Sequence, residues 1–437
     1  MTGASFDPLQ LGEVEIVPSG PLAGTLRAPT SKSVTNRLLL VAALADGGSR
    51  LGDVLRSDDT AVMMTALRSL GAGLAEEGEG GLQVAGTGGH LQTPAGVLTA
   101  GLSGTTLRWL AAAALLVRGT VVLDGAPPLR RRPILPLLEA LESLGAEIET
   151  EGGRPPLRIT SKGFAGGHVR VDAAASSQFV TGLLLVAPYA DADVELEVAH
   201  LGAVGYVDLT LETMTRWGAG VRREEALGYV VAAGHHYEGR DEVVEYDASA
   251  AGHLFALAMA TGGSVTVANV VPTHQPDAAL TAVFAAMGAE VASAAEGGVT
   301  VSRPGTMRGV DVDVSPMPDQ VPTLAVLAAL AEGPTRLGKV SVARGHETDR
   351  VAAIARELAK LGAGVKEEGD ALVVHGGRPL EGAVVETYDD HRMAMALSSL
   401  AAAVPGVVIR DPGCVRKTYP GYWRDAAALG MCLRPAG

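Results

Sequence analysis

Lysine is scarce in this chain. Only Lys32, Lys162, Lys339, Lys360, Lys366 and Lys417 are present, and acidic residues outnumber basic ones to give a net charge of −14. That balance argues against a nucleic-acid partner and makes any local cluster of cations conspicuous. Cysteine is scarcer still. Cys414 and Cys432 cannot build a disulfide framework, so an intracellular, cytoplasmic protein is expected. The N-terminus lacks a basic start followed by an apolar stretch, and no signal peptide is expected. The longest apolar run, Trp109 to Val117, falls well short of the ~20 residues of a membrane span, so no membrane partner is expected. A Gly-x-x-x-x-Gly-Lys-Ser/Thr loop is missing, which removes support for ATP hydrolysis. His235, His236, Glu238 and Asp241 lie close together but lack His-Glu-x-x-His spacing, and no metal is expected. His253 and His274 read as structural or surface histidines.

What is present is a repeat. An apolar residue followed by Gly-Ala recurs at Leu70-Gly71-Ala72, Leu144-Gly145-Ala146, Trp217-Gly218-Ala219, Met287-Gly288-Ala289 and Leu361-Gly362-Ala363, and a weaker copy, Leu429-Gly430-Met431, closes the series. The spacings are 74, 73, 70, 74 and 68 residues. Apolar residues three and seven positions upstream, such as Leu67 and Met63 or Leu358 and Ile354, mark one face of a helix. The Gly stops that helix in a left-handed turn. Alternating strands follow, as in Glu147-Ile148-Glu149 and Leu157-Arg158-Ile159. Six helix-plus-hairpin units of this length are too large for a common solenoid repeat and imply a compact α/β protein of repeated subdomains. Three units precede the polar stretch 235–242 and three follow it, so a domain crossing is expected at its end. The strand-like segment before Pro29 has the pattern to pair with either half.

Chemistry-bearing residues gather between these signatures. Ser31-Lys32-Ser33 with Arg37 opens a helix, and a helix start carrying cations is an anion site as well as a cap. Leu102-Ser103-Gly104-Thr105 is a Gly/Ser/Thr loop entering an apolar helix. Arg130-Arg131-Arg132-Pro133 reads as a helix start with Pro133 in the first turn, where cations oppose the macrodipole. Ser176-Ser177-Gln178-Phe179 precedes another helix. Asp319 has the position of an N-cap, Glu347 and Arg350 form an i,i+3 pair, and Asp389-Asp390-His391-Arg392 begins a further helix. Lys417 precedes the last helix. Cations, hydroxyls and carboxylates recurring at helix starts suit a polyanionic substrate with acid/base groups beside it. A non-catalytic anion-binding repeat protein is the competing reading.

In this order, on six repeats, these segments resemble the enolpyruvyl transferase family, in the branch that acts on shikimate 3-phosphate. The resemblance covers nearly the whole chain. It implies an inside-out α/β barrel fold of two similar domains, each of three βαβαββ repeats. Residues 1–29 would join 247–437, with 30–246 inserted. It implies transfer of the enolpyruvyl group of phosphoenolpyruvate to the 5-hydroxyl of shikimate 3-phosphate with release of phosphate, without cofactor, in a monomer. Another hydroxyl acceptor, such as a nucleotide, is the alternative. Glu347 and Lys32 would serve proton transfer at carbon, and Asp319 would take the hydroxyl proton. Arg132, Arg350, Arg392 and Lys417, with Gly104, Gln178 and His391, would hold phosphoenolpyruvate. Ser33 and Arg37 would take the shikimate carboxylate, Ser176 and Ser177 the 3-phosphate, and Tyr206 would pack on the ring. His346 joins the substrate-binding set at a position where the family often has Lys. The chain departs from the family's pattern at Leu102, Ala203 and Val342 as well, mostly on the acceptor side. Trp109 stands where Pro is common, beside a loop tied to glyphosate sensitivity, and altered sensitivity is expected.

Overall fold

The structure is a computed structural model that describes residues 7–78, 80–224 and 227–436. The chain divides into two compact units. One is split, Met1–Pro29 with Tyr246–Gly437, and the other is inserted, Thr30–Glu245. Each has its own hydrophobic core. The inserted unit carries α1 (Lys32–Leu44), α2 (Asp58–Ser69), α3 (Gly104–Ala113), α4 (Pro127–Arg130), α5 (Leu135–Ser143), α6 (Gln178–Val186) and α7 (Gly205–Arg216). The split unit carries α8 (Ala248–Thr261), α9 (Leu280–Ala286), α10 (Val321–Leu330), α11 (Arg350–Lys360), α12 (His391–Ala401) and α13 (Tyr422–Ala428).

The repeat is clearest in the run Gly167–Ala173, α6, Val194–Leu201, α7, Val221–Glu224, Gly228–Val231. Its first two strands pair in parallel across α6, and the last two form a hairpin that returns antiparallel to the second strand. This is the expected βαβαββ unit, because parallel neighbours need a crossover helix whereas antiparallel ones need only a turn. The same four-strand order recurs in all six sheets. Three repeats borrow a strand from a distant part of the chain. Asp241–Val243 supplies the first strand of the α1–α2 repeat, and Ala23–Leu26 that of the α8–α9 repeat. Glu13–Val17 lies between Val407–Arg410 and Cys432–Pro435 and completes the last repeat. The N-terminal segment therefore pairs within the split unit.

Helices lie inside and sheets outside. The first helix of a repeat is buried on nearly all sides, as in α10, where nine residues from Val321 to Ala329 are buried. The second helix is amphipathic, as in α11, which buries Val351, Ile354 and Leu358. Strands alternate buried and exposed residues, as Arg154–Ser161 does. The sheets stay separate, and no closed β-barrel forms among the described residues. At the end of each second helix stands the recurring glycine. Gly71, Gly145, Gly218, Gly288, Gly362 and Gly430 have φ of 103°, 97°, 95°, 107°, 88° and 104°, a region that side chains avoid. Among the described residues no helix is long and apolar enough to cross a membrane.

Candidate active site

In each βαβ turn both helices start at the carboxyl edge of the parallel strands, the edge at which α/β proteins place their ligands. The site residues follow this rule. Lys32, Gly104, Gln178, Arg350 and His391 each occupy the first residue of a helix, and Tyr206 and Arg392 the second.

In the split unit the polar groups converge on Arg350, which is 1% exposed. Its Nε donates to Asp390 Oδ2 at 2.7 Å and its Nη2 to Asp390 Oδ1 at 3.2 Å. Nη1 donates to Asp319 Oδ1 at 2.6 Å, and Nη2 also to Glu347 Oε2 at 2.8 Å. Arg392 Nη2 reaches the other Asp319 oxygen at 2.8 Å. Lys417, the last residue of the 3₁₀ helix Pro412–Lys417, is ion-paired with Glu347 Oε1. Asp390 caps α12 by accepting from the Arg392 amide. Asp319 does not act as the cap expected of it. It lies in a 3₁₀ turn, Pro318–Gln320, that runs straight into α10, and its carboxylate is spent on the guanidiniums instead.

Charge and burial set the protonation states. Burial alone pushes the Asp319 carboxyl upward, but Arg392 and Arg350 outweigh it and hold it well below the usual range. Burial works against the Arg350 charge, yet Asp390, Glu347 and Asp319 hold its pKa above the ordinary value. His346 Nδ1 lies 2.7 Å from Arg350 Nη1 and 3.2 Å from Asp319 Oδ1. A bond donated by Arg350 requires an unprotonated Nδ1, in keeping with the lowering of the His346 pKa by burial. His391 is held well below its ordinary value by burial and by Arg392. Neither of its ring nitrogens has a hydrogen-bond partner among the described residues.

The inserted unit gathers the other candidates. Ser31 caps α1 through the Val34 amide, and Lys32 lies 3.8 Å from the buried Asp59. Arg37, one turn on, is fully enclosed. Its Nη1 donates to Ser33 O at 2.8 Å, Nη2 to Tyr206 O at 2.7 Å and Nε to Thr210 Oγ1 at 3.0 Å. Burial brings its pKa down to about 10, so it stays charged at neutral pH. A second group forms where α3 meets α6. Gln178 Nε2 donates to Thr105 Oγ1 at 3.1 Å, and Arg108 Nη1 donates to Gln178 Oε1 at 2.6 Å and Ser176 Oγ at 3.3 Å. Ser177 is 8% exposed and immediately precedes α6. The Arg132 guanidinium lies against Gly104, where an added Cβ would stand 2.6 Å from Nη1.

One expectation about Arg132 fails. Arg130 ends the short helix α4, and Pro133 lies between α4 and α5 rather than in a first turn. Cations at that C-terminus agree with the macrodipole. Arg132 is placed by a loop and owes nothing to a conflict with a helix.

Sequence reasoning gave no role to three residues that hold candidate groups in place. Asp390 read only as part of a helix start but chelates Arg350, and Arg108 sits inside an apolar stretch yet orients Gln178 and Ser176. Thr105 supports Gln178, and of the two readings open for His253, structural or surface, the structural one holds. That residue is buried in α8 with Nδ1 3.2 Å from Thr323 Oγ1, and burial followed by Arg392 and Arg350 holds it well below its ordinary pKa. Asp390 had a signal, its place beside two cationic side chains at a helix start, and so did Thr105, in the Gly/Ser/Thr loop. No group of three or more His, Cys, Asp or Glu side chains suited to a metal ion occurs among the described residues.

Known proteins share this chain's sequence pattern and fold. The pattern of the EPSP synthase (3-phosphoshikimate 1-carboxyvinyltransferase) family matches residues 16–426. A 3-phosphoshikimate 1-carboxyvinyltransferase of Methanoculleus marisnigri is 41% identical over 96% of this chain and 99% of its own. One from Rhizobium leguminosarum bv. trifolii is 40% identical over 96% and 97%. The chloroplastic enzyme 1 of Nicotiana tabacum is 41% identical over 94% and 83%. The solved EPSP synthase of Acinetobacter baumannii shares the fold, with a TM-score of 0.81 over 97% of this chain and 100% of that one at 24% identity. On the family match over residues 16–426 and these relatives, the chain belongs to the EPSP synthase family.

Proposed function

We propose that this protein transfers the enolpyruvyl group of phosphoenolpyruvate to the 5-hydroxyl of shikimate 3-phosphate and releases phosphate. The observation that carries the reading is the convergence of Arg350, Arg392 and Lys417 on Asp319 and Glu347. Cations able to grip a phosphate and a carboxylate stand against two carboxylates able to move protons.

In the addition step the 5-hydroxyl oxygen bonds to C2 of phosphoenolpyruvate, its proton goes to Asp319, and the methylene carbon takes a proton from Glu347 or Lys32. Elimination then breaks the C2–O bond to phosphate and returns a proton from the methyl carbon. Arg350, Arg392, Lys417 and Arg132, with Gly104, Gln178 and His391, are assigned to the donor, since guanidinium forks match oxyanions bidentately. His346 serves beside Arg350. Ser33 and Arg37 are assigned to the acceptor carboxylate, Ser176 and Ser177 to its phosphate, and Tyr206 to its ring. Before substrate arrives, Asp319 is a weak base because the two arginines hold its pKa down. Donor anions bound to the same arginines offset that field, so Asp319 gains basicity when the substrate is in place.

The test is phosphate release from phosphoenolpyruvate with shikimate 3-phosphate as acceptor, for the wild type and Glu347→Gln. The wild type is expected to turn over. The variant is expected to bind both substrates and to lose roughly 10²–10⁴-fold in turnover, the usual weight of a general acid–base group. Release only with a nucleotide acceptor would replace the acceptor assignment, and an unaffected variant would remove Glu347 from the chemistry.

A further inference from the structure

We infer that Trp109 is a positioning residue for the acceptor, acting through Arg37. The inference rests on the assignment of Arg37 to the acceptor carboxylate. Trp109 lies in α3, is 1% exposed, and has the Arg37 guanidinium carbon 5.2 Å from its ring centroid. A cation over an indole face is held most strongly when both are out of water, as here. Three of the five guanidinium N–H groups are committed to Ser33 O, Tyr206 O and Thr210 Oγ1. With one N–H on each of the three nitrogens and one face fixed, the direction of the remaining two N–H groups is set.

The surroundings are shaped for this ring. Gly182 of α6 faces it, and a Cβ at 182 would stand 3.3 Å from Trp109 Cδ1 and 3.3 Å from Arg108 O. The missing side chain at 182 makes room for the large one at 109. Apolar filling does not explain the residue, because its indole N–H is buried without a hydrogen-bond partner among the described residues. Phenylalanine would fill most of the space without stranding a donor. The indole's advantage is its stronger π face, and the group on that face is Arg37. Through Trp109, α3 is coupled to α1, which carries Ser33 and Arg37, and to α6, which follows Ser176 and Ser177 and begins at Gln178. The same ring therefore fixes the relative placement of groups assigned to the acceptor carboxylate and to its phosphate.

The experiment measures KM for shikimate 3-phosphate, for an analogue with the carboxylate replaced by hydroxymethyl, and for phosphoenolpyruvate. Variants are Arg37→Ala, Trp109→Leu, Trp109→Phe, Gly182→Ala and the Arg37→Ala/Trp109→Leu double mutant. The expected result for Trp109→Leu is an increase of about tenfold in KM for shikimate 3-phosphate. The analogue and phosphoenolpyruvate should change little. Trp109→Phe, with its weaker π face, should recover only part of the loss, and Gly182→Ala, which pushes on the ring, should shift KM in the same direction as Trp109→Leu. The double mutant should be no worse than Arg37→Ala. If Trp109→Leu does not fold, Gly182→Ala and Trp109→Phe carry the test. An increase in KM that is equal for the analogue, or additive in the double mutant, overturns the inference while leaving the Arg37 assignment standing. An Arg37→Ala variant with unchanged KM for shikimate 3-phosphate overturns that assignment and the inference together.

Discussion

At the scale of single residues, the split-unit site is a balance between burial and charge. Asp390 and Arg350 are 0% and 1% exposed at their side chains, so each is affordable only because the other is there. Three imidazoles beside them, His253, His346 and His391, are held below their ordinary pKa, in each case first by burial. In the unfolded chain they titrate near about 6.5, so below that pH the unfolded state binds more protons than the folded one. Stability is thus full above about pH 6.5 and falls as pH drops toward the folded pKa values, by up to about 1.4 kcal/mol per pH unit for each imidazole. Asp319 adds a separate limb. Its depressed folded pKa contributes stability above the unfolded value of about 3.9 that is lost as pH falls through the folded value. Urea midpoints between pH 8 and 5 should trace the imidazole limb, and His253→Gln should flatten it by up to one proton. A flat wild-type profile, or an unchanged slope in the variant, would contradict the buried-neutral assignment.

At the scale of elements, the decisive feature is where helices begin. Ser31, Ser103 and Asp390 each cap a helix whose first residues are assigned to the candidate site, so under that assignment one local arrangement serves both capping and ligand placement. Most of this was legible in the sequence, because glycine after an amphipathic stretch and a hydroxyl before an apolar one are local signals. Arg132 and Asp319 were misread in their local setting for the same reason. Nothing near Pro133 announces that α4 ends first, and nothing near Asp319 reveals that Arg350 and Arg392 arrive from far along the chain. Gly104 gives a direct test of element-level placement. The three atoms nearest an added Cβ all belong to the tip of the Arg132 side chain, Nη1 at 2.6 Å, Cζ at 2.9 Å and Nη2 at 3.1 Å. Arg132 can swing away, so Gly104→Ala should keep its urea midpoint within about 0.5 kcal/mol. KM for phosphoenolpyruvate should rise about tenfold through loss of one charge-assisted contact. An unchanged KM for the donor would remove Arg132 from that role.

At the scale of the whole molecule, the chain is one module inserted into another. The six-fold period was legible, but the three borrowed strands were not, since Asp241–Val243, Ala23–Leu26 and Glu13–Val17 find partners far away in sequence. The insertion leaves and re-enters at adjacent points. The Asp247 amide donates to Pro29 O at 2.8 Å in the split unit, and the Ser31 amide to Glu245 O at 2.8 Å in the inserted one. With separate cores and neighbouring ends, the split unit has the contacts of a domain that folds by itself. Replacing 30–245 by about six Gly/Ser residues joins two chain ends that already lie side by side, so the loop-closure cost stays small. Trp423, buried and donating from its indole to Pro412 O at 3.0 Å, is the one tryptophan left to report on that unit. The shortened chain is expected to show blue-shifted emission and a single urea transition. Red-shifted emission without a cooperative transition would mean that the split unit draws part of its stability from the inserted one.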